Sequence, residues 1–275
     1  MPANEDQIAF WNDKAGRDWV ELQERMDANL SDIGAAILAA AAAQPGESVL
    51  DIGCGTGATT LALADAVGDG RVTGLDVSRP MLALAKSRAG DRANVSFLEA
   101  DAAHYAFTGQ YDLLFSRFGV MFFDDPIGAF ANLHRAAKNR LAFVCWRTPK
   151  ENLWASTPIT AAKPFLPETP PPDPYAPGPF AFADAQRVLS ILTDVGFHNV
   201  EIDKYDAPMR MGADLETVAA QTLRIGPLSR AVGEADDVTR AKIVTAVQDA
   251  LGQFRNPDGE IAPPAACWLV RAKVT

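Results

Sequence analysis

A chain of 275 residues with 48% apolar residues is long enough for one large domain, or a domain with a cap, around a substantial core. Its 35 acidic against 25 basic residues leave a formal charge of −10, which argues against nucleic acid as a partner, since polyanions are held by clustered Lys and Arg. No apolar run approaches the ~20 residues that span a bilayer, so membrane insertion is not expected. The start of the chain lacks a signal peptide's basic flank and apolar core. Cys54, Cys145 and Cys267 are scattered without metal-ligand spacing, which suits reduced thiols in the cytoplasm and no metal site.

Residues 1–44 read as two helices. Trp11, Trp19 and Leu22 recur at roughly helical spacing, broken near Gly16, and Ile33–Ala42 favours helix until Gln44-Pro45-Gly46 stops it. The next stretch, Glu47–Ala58, is the most informative. Val49, Leu50 and Ile52 form a buried strand that ends beside Asp51, a turn follows with Gly53, Gly55 and Gly57, and Thr59–Ala66 opens a helix. Glycines there let the chain turn sharply and let a ligand lie against the backbone at the carboxyl end of a parallel sheet. Gly53, Gly55 and Ala58 also satisfy G-x-G-x-x-G/A, so a nicotinamide or flavin enzyme is one reading. Asp51 argues otherwise. An unpaired carboxylate facing the pocket opposes a pyrophosphate and favours a cationic nucleoside such as S-adenosylmethionine, which carries a sulfonium, an ammonium and no phosphate. Cys54 packs behind the turn, with no basic neighbour to make it a nucleophile.

Arg71–Asp76 is a second apolar strand ending in an acid, roughly 25 residues after Asp51, near the offset of a ribose-binding carboxylate. Both oxygens of Asp76 are available to ribose hydroxyls. Ser78 is a better N-cap than Asp76 for the helix that runs through Pro80 and Met81. Val95, Phe97 and Leu98 make a third strand, beyond which Asp101 can accept from an adenine amino group with Ala102 against the ring; a plain surface turn is its rival. His104 and Tyr105 lie on the same edge, either as groups that assist deprotonation or, more simply, as loop contacts near the adenine. Asp112–Phe115 is the central strand after the topological switch, with Ser116–Gly119 at its carboxyl end.

Pro126–Lys138 is a helix in which His134 reads as a surface residue, and Arg140–Trp146 is a fifth strand. Phe165–Phe180 is too rich in proline for regular structure, and is either a linker or, given Phe165, Tyr175, Phe180 and Phe182, a semi-rigid flap. Ala183–Val195 is a helix capped at Gly196, after which His198 looks structural and Val200 starts a sixth strand. Leu215–Phe254 is helical with breaks near Gly226-Pro227 and Gly233, and Ala266–Val274 is the last strand.

The D-x-G-x-G-x-G loop at Asp51–Gly57, the acids Asp76 and Asp101, and Tyr111-Asp112…Ser116 with Asp125-Pro126 together resemble the class I S-adenosylmethionine-dependent methyltransferases. The likeness is to the small-molecule branch that includes the ubiquinone and menaquinone C-methyltransferases. Phe10–Trp19 and Ser116–Phe123 are similar to a bacterial subgroup of it. Quinone methyltransferases often carry a basic or histidine-containing stretch after the fourth strand, where this chain has Phe118–Phe123, which speaks against a quinone acceptor.

The resemblance implies an α/β fold: a Rossmann-like, doubly wound, seven-stranded sheet whose last strand is antiparallel. Residues 1–44 are expected to cover the site, 45–206 with 265–275 to bind the cofactor, and 207–264 to form a helical cap. It implies S-adenosylmethionine, leaving as S-adenosylhomocysteine, held by Asp51, Gly53, Cys54, Gly55, Thr56, Asp76, Val77, Met81, Asp101, Ala102, Ser116 and Arg117. Trp11, Trp19, Phe118 and Met121 are candidates for the acceptor pocket, with ordinary packing of an amphipathic helix on the core an equal reading of Trp11 and Trp19. No dedicated base is identified; His104 and Arg117 are the catalytic candidates, Arg117 being equally suited to bind an acidic acceptor or to pair with an acidic neighbour. The expected partner is a small molecule and the expected state a monomer or homodimer. Two rivals stand: an NAD(P)-dependent oxidoreductase, and a non-catalytic protein that binds S-adenosylmethionine.

Overall fold

Apolar runs of five to seven residues alternate with helices through the first half of the chain, and in the computed structural model they form one parallel sheet. It describes residues 4–168, 170, 173–233 and 235–274; Thr169, Pro171 and Pro172 of the expected flap lie outside the described residues. β1 (Ser48–Ile52), β2 (Arg71–Asp76), β3 (Val95–Glu99), β4 (Tyr111–Arg117) and β5 (Ala137–Trp146) pair in parallel. β6 (His198–Pro208) and β7 (Pro264–Lys273) complete the order β3-β2-β1-β4-β5-β7-β6, with β7 antiparallel to both neighbours. This is the seven-stranded doubly wound sheet that the sequence predicts.

β1 after its first residue and the centre of β4, Leu113–Ser116, are buried, as strands covered on both faces must be. The strand order reverses between them, and Asp51 pairs with Gly74 of β2 on one side and Phe115 of β4 on the other. The turn after β1 therefore opens into the crevice where open α/β sheets bind ligands. α5 (Ala58–Val67), α6 (Arg79–Ala89), α7 (Pro126–Ala136) and α9 (Ala185–Asp194) pack against the sheet.

The N-terminal segment differs from expectation. It forms four short helices, α1 (Glu5–Asn12), α2 (Lys14–Glu21), α3 (Gln23–Asn29) and α4 (Ser31–Ala41), broken at Asp13, Leu22 and Leu30. Gly16 does not break a helix; it lies inside α2. A side chain there runs into the Trp11 carbonyl and comes within 2.9 Å of Ser78 Oγ, so this glycine serves close packing of α1 and α2 on the start of α6.

A helix that sequence reasoning passed over, α8 (Leu153–Ala162), carries Pro158 in its interior. α10 (Leu215–Thr222), α11 (Pro227–Val232) and α12 (Asp237–Leu251) follow β6, and α11 and α12 pack on α8. α7 stops at Ala136, so β5 starts at Ala137, ahead of Arg140. His134 is half-buried, its ring edge-on to Phe197 at 4.9 Å. Among the described residues, no helix is long and apolar enough to cross a membrane.

Candidate active site

Three glycines shape the turn after β1. Gly53, Gly55 and Gly57 have φ of 67°, 56° and 83°, the left-handed region that other residues enter at a cost. At Gly53 the constraint is also steric, because a Cβ there stands 2.7 Å from Gly119 Cα. Four amide groups of the turn are used internally. Gly53 and Cys54 donate to the Leu75 carbonyl at 2.8 and 3.1 Å, Gly57 to the Cys54 carbonyl at 2.9 Å, and Gly55 to Asp76 Oδ2 at 2.8 Å.

Asp51 does not face the cavity, contrary to expectation. It is fully buried behind the turn, where Oδ2 accepts hydrogen bonds from Thr59 and Thr60 at 2.8 and 2.6 Å and ties β1 to the first turn of α5. Loss of hydration outweighs both hydroxyls and pushes the carboxyl up to about 6. Its Oδ1 is buried without a hydrogen-bond partner. Ser116 is likewise a brace and not a wall residue: its Oγ donates to the Ile52 carbonyl at 2.7 Å and accepts from the Gly119 amide at 3.1 Å, clamping the ends of β1 and β4 together.

Asp76 sits on the wall, 6% exposed, and accepts from Gly55 N and Ser78 N, one on each oxygen and both at 2.8 Å. Each oxygen keeps a second acceptor site. Ser78 does not cap α6 with its side chain; its Oγ donates to the Trp11 carbonyl at 2.7 Å. Asp101 and Ala102 also line the cavity, as do Cys54, Thr56, Val77 and Met81. Burial raises the Cys54 thiol far above its ordinary value, which removes it as a nucleophile. His104 is turned away: its side chain is 56% exposed, held by Asp101 Oδ2 at 2.8 Å, and off the cavity wall, so it is not placed to act on a substrate.

The cavity, about 1440 Å³ in all, continues beyond the turn into an aromatic part. Trp11 and Trp19 meet edge to face at 6.1 Å, and Trp11 stands edge-on to Phe122 at 5.3 Å. Phe118 stacks on Trp146 with centroids 4.1 Å apart and planes 11° from parallel, and Trp146 touches Trp154 at 4.8 Å. Phe118 has φ of 67° without being glycine, a local strain held by its surroundings. Met121 is buried on the wall, and its carbonyl accepts from the Gly178 amide at 3.1 Å. That bond pins the proline-rich segment, whose residues 173–181 line the cavity as a flap. Arg117, 13% exposed at the side chain, also reaches the wall, with Asp27 at 3.6 Å.

Trp146, Trp154, Phe122, Met209, Met211 and Trp268 line the site without having been singled out from sequence. Trp146 was findable, since it ends β5 as Asp76 ends β2. Trp154 went unnoticed together with its helix.

Comparison with known proteins agrees with this geometry. Val49–Arg140 matches the family model of a methyltransferase domain. Demethylmenaquinone methyltransferases of Staphylococcus epidermidis and Staphylococcus aureus are 35% and 34% identical to the chain over 112 and 110 residues, covering 40% and 39% of it. The matched part is 46% of each relative, so the chain spans less than half the length of these curated proteins. Among solved structures, Haemonchus contortus phosphoethanolamine N-methyltransferase 2, with phosphomonomethylethanolamine and S-adenosylhomocysteine bound, aligns with a TM-score of 0.59 at 17% identity, over 96% of this chain and 60% of that one. The cyclase SpnF aligns with a TM-score of 0.57 at 17% identity, over 94% and 95% of the two chains. Likeness at that identity is likeness of fold. One such neighbour is a cyclase, so an activity must be argued from the site itself.

Proposed function

We propose that the chain transfers the methyl group of S-adenosylmethionine to a small-molecule acceptor in the aromatic part of the cavity, releasing S-adenosylhomocysteine. The observation that carries this reading is the fate of the turn's amides. A dinucleotide site needs N–H groups free to cradle a pyrophosphate. Here those of Gly53, Cys54, Gly55 and Gly57 are bonded within the protein, one of them to a carboxylate. The surface left to a ligand is acidic, with Asp76 and Asp101 on one wall. Such a wall suits a nucleoside without phosphate.

The residues present fit that cofactor. Asp76 has acceptor sites for a ribose diol, Asp101 can accept from an adenine amino group, and Ala102 offers a flat apolar contact. Gly55 leaves open the space a side chain would fill, 3.8 Å from Met81 Sδ. The bound cofactor supplies an electrophilic methyl group. The protein's part is to position the acceptor and exclude water. The Phe118–Trp146 stack gives an aromatic acceptor a platform, and Trp11, Phe122 and the flap close the space around it. An acceptor that is a good nucleophile once desolvated needs no dedicated base, which accords with a wall on which His104 takes no part. The buried free thiols Cys54, Cys145 and Cys267 suit work in a reducing cytoplasm.

Calorimetry with S-adenosylmethionine, S-adenosylhomocysteine and NAD tests the class. Both adenosyl ligands should bind and NAD should not; Asp76→Asn should weaken S-adenosylhomocysteine by about 10- to 100-fold, the worth of a charge-assisted hydrogen bond. NAD binding with no response to the adenosyl ligands overturns the proposal. Release of S-adenosylhomocysteine across a panel of phenols, amines, quinones and small acids then separates an enzyme from a protein that only binds the cofactor.

A further inference from the structure

Among the described residues, three basic side chains line the cavity: Arg117, Arg224 and Arg230. Two of these charges are answered within the protein. Arg117 has Asp27 at 3.6 Å and also feels the charge of Asp51. Arg224, just past α10, donates to Asp18 Oδ1 and Glu21 Oε2, each at 2.6 Å, and so ties the cap to α2.

Arg230, on α11, is different. Its guanidinium carbon stands 4.2 Å from the centroid of the Phe10 ring of α1. Among the described residues no carboxylate is within ion-pair reach of it, and its N–H groups have no protein acceptor. The ring covers one face of the guanidinium, whereas the five N–H donors lie in its plane and remain unused. Arg230 is accessible on the cavity wall, yet enough protein surrounds it that lost hydration lowers its pKa. A poorly hydrated cation without a counter-charge is stabilised by an anion that a ligand brings in.

We propose that Arg230 is a specificity-determining residue of the cap, anchoring a ligand that carries one carboxylate on an aromatic body. Two parallel hydrogen bonds join a guanidinium to a carboxylate. The aromatic body follows from the surroundings: Phe10 meets Trp11 edge to face at 5.2 Å, and Trp154 lies 3.6 Å from the Cβ position of Gly226, one turn before Arg230. The limit to a single charge follows from Asp76, Asp101, Asp173 and Asp184 elsewhere on the wall, which disfavour a second one. This anchor belongs to the cap and is separate from the glycine turn. Calling its ligand the methyl acceptor rests on the function proposed above; the anion site does not.

The test is calorimetry of the full chain, saturated with S-adenosylhomocysteine, against 2-naphthoate and its neutral match 2-naphthamide. The acid should bind about 10- to 100-fold more tightly than the amide. Arg230→Met should erase that preference while leaving the amide and S-adenosylhomocysteine unchanged, an outcome that a merely structural contact with Phe10 does not give. Arg230→Lys, which keeps the charge and loses the fork, should retain part of the preference, and it keeps the test alive should the methionine variant fail to fold. Naphthoate binding no better than naphthamide, including no binding of either, overturns the assignment. So does a preference that survives Arg230→Met, or tighter binding of 2-naphthyl phosphate than of the acid. A wild-type chain that does not bind S-adenosylhomocysteine refutes the cofactor reading instead, and the same titrations on the free chain then decide the role of Arg230.

Discussion

The two walls of the cavity are built differently. The wall from Ile52 to Ala102 comes from the ends of three neighbouring strands, and its shape is set by backbone: left-handed glycines, amides bonded to Leu75 and Asp76, and a buried Asp51 behind them. The opposite wall is gathered from α1 and α2, the ends of β4 and β5, α8, the flap and the helices after β6, and its surface is largely aromatic and aliphatic side chain. A wall made of backbone admits few substitutions, whereas one made of side chains can be re-cut residue by residue. The first therefore suits a constant ligand and the second a ligand that varies among proteins of this fold.

Substitution at Gly53 is the strongest way to break that comparison. A β-branched residue at positive φ, with its Cβ 2.7 Å from Gly119 Cα, must move backbone against backbone. Gly53→Val should cost about 4 kcal/mol from strain and overpacking combined. Tyr175→Ala on the half-exposed flap loses the Arg187 guanidinium stacked 4.4 Å from its ring centroid and should cost about 1 kcal/mol or less. Chemical denaturation of both variants measures the contrast, and equal losses erase the distinction between the walls.

A titration of stability follows in size. Asp51 holds its proton more tightly folded, at about 6, than unfolded, at 3.8. The folded state therefore loses stability as pH rises from about 4 to above 6, by about 3 kcal/mol in all, and the penalty is absent below the unfolded value. Asp112 runs the other way. Lys138 and Ser48 hold it down to about 2, so its smaller, partly screened contribution is present above 3.8 and lost as pH falls toward 2. Asp51→Asn should flatten the limb between pH 4 and 6.5 and leave the acid limb in place, as read by urea midpoints across pH. An unchanged upper limb in the variant places the titrating group elsewhere.

The same contrast explains what could be read from sequence. The backbone-made wall is local: the strand, three glycines and the acids Asp76 and Asp101 follow within about fifty residues, each at the end of an apolar run. Spacing there implies geometry. What it could not convey was which way a carboxylate points. Asp51 has the composition of a site residue, but Thr59 and Thr60, in the first turn of α5, claim it for the interior. Ser116 is taken by Ile52 in the same way, and His104 by Asp101. The second wall is non-local. α8, whose second residue is Trp154, carries a proline in its interior that masks its helical pattern, and the breaks at Asp13 and Leu22 have no glycine or proline to announce them.

The smallest effect is expected at one of the places where the two walls touch. Phe118 takes a left-handed turn that sets Gly119 against Gly53, while its ring stacks on Trp146 of its own wall. Phe118→Leu keeps the backbone strain, since leucine at that φ is no better placed, and removes only the aromatic part of the stack. An aromatic contact between that platform and the acceptor is worth about 1 kcal/mol, so KM for an aromatic acceptor should rise about fivefold with S-adenosylhomocysteine affinity unchanged. Steady-state kinetics beside calorimetry separates the two quantities. Should cofactor affinity fall in step with KM, the strain at Phe118 is transmitted through Gly119 to the glycine turn, and the walls act as one unit.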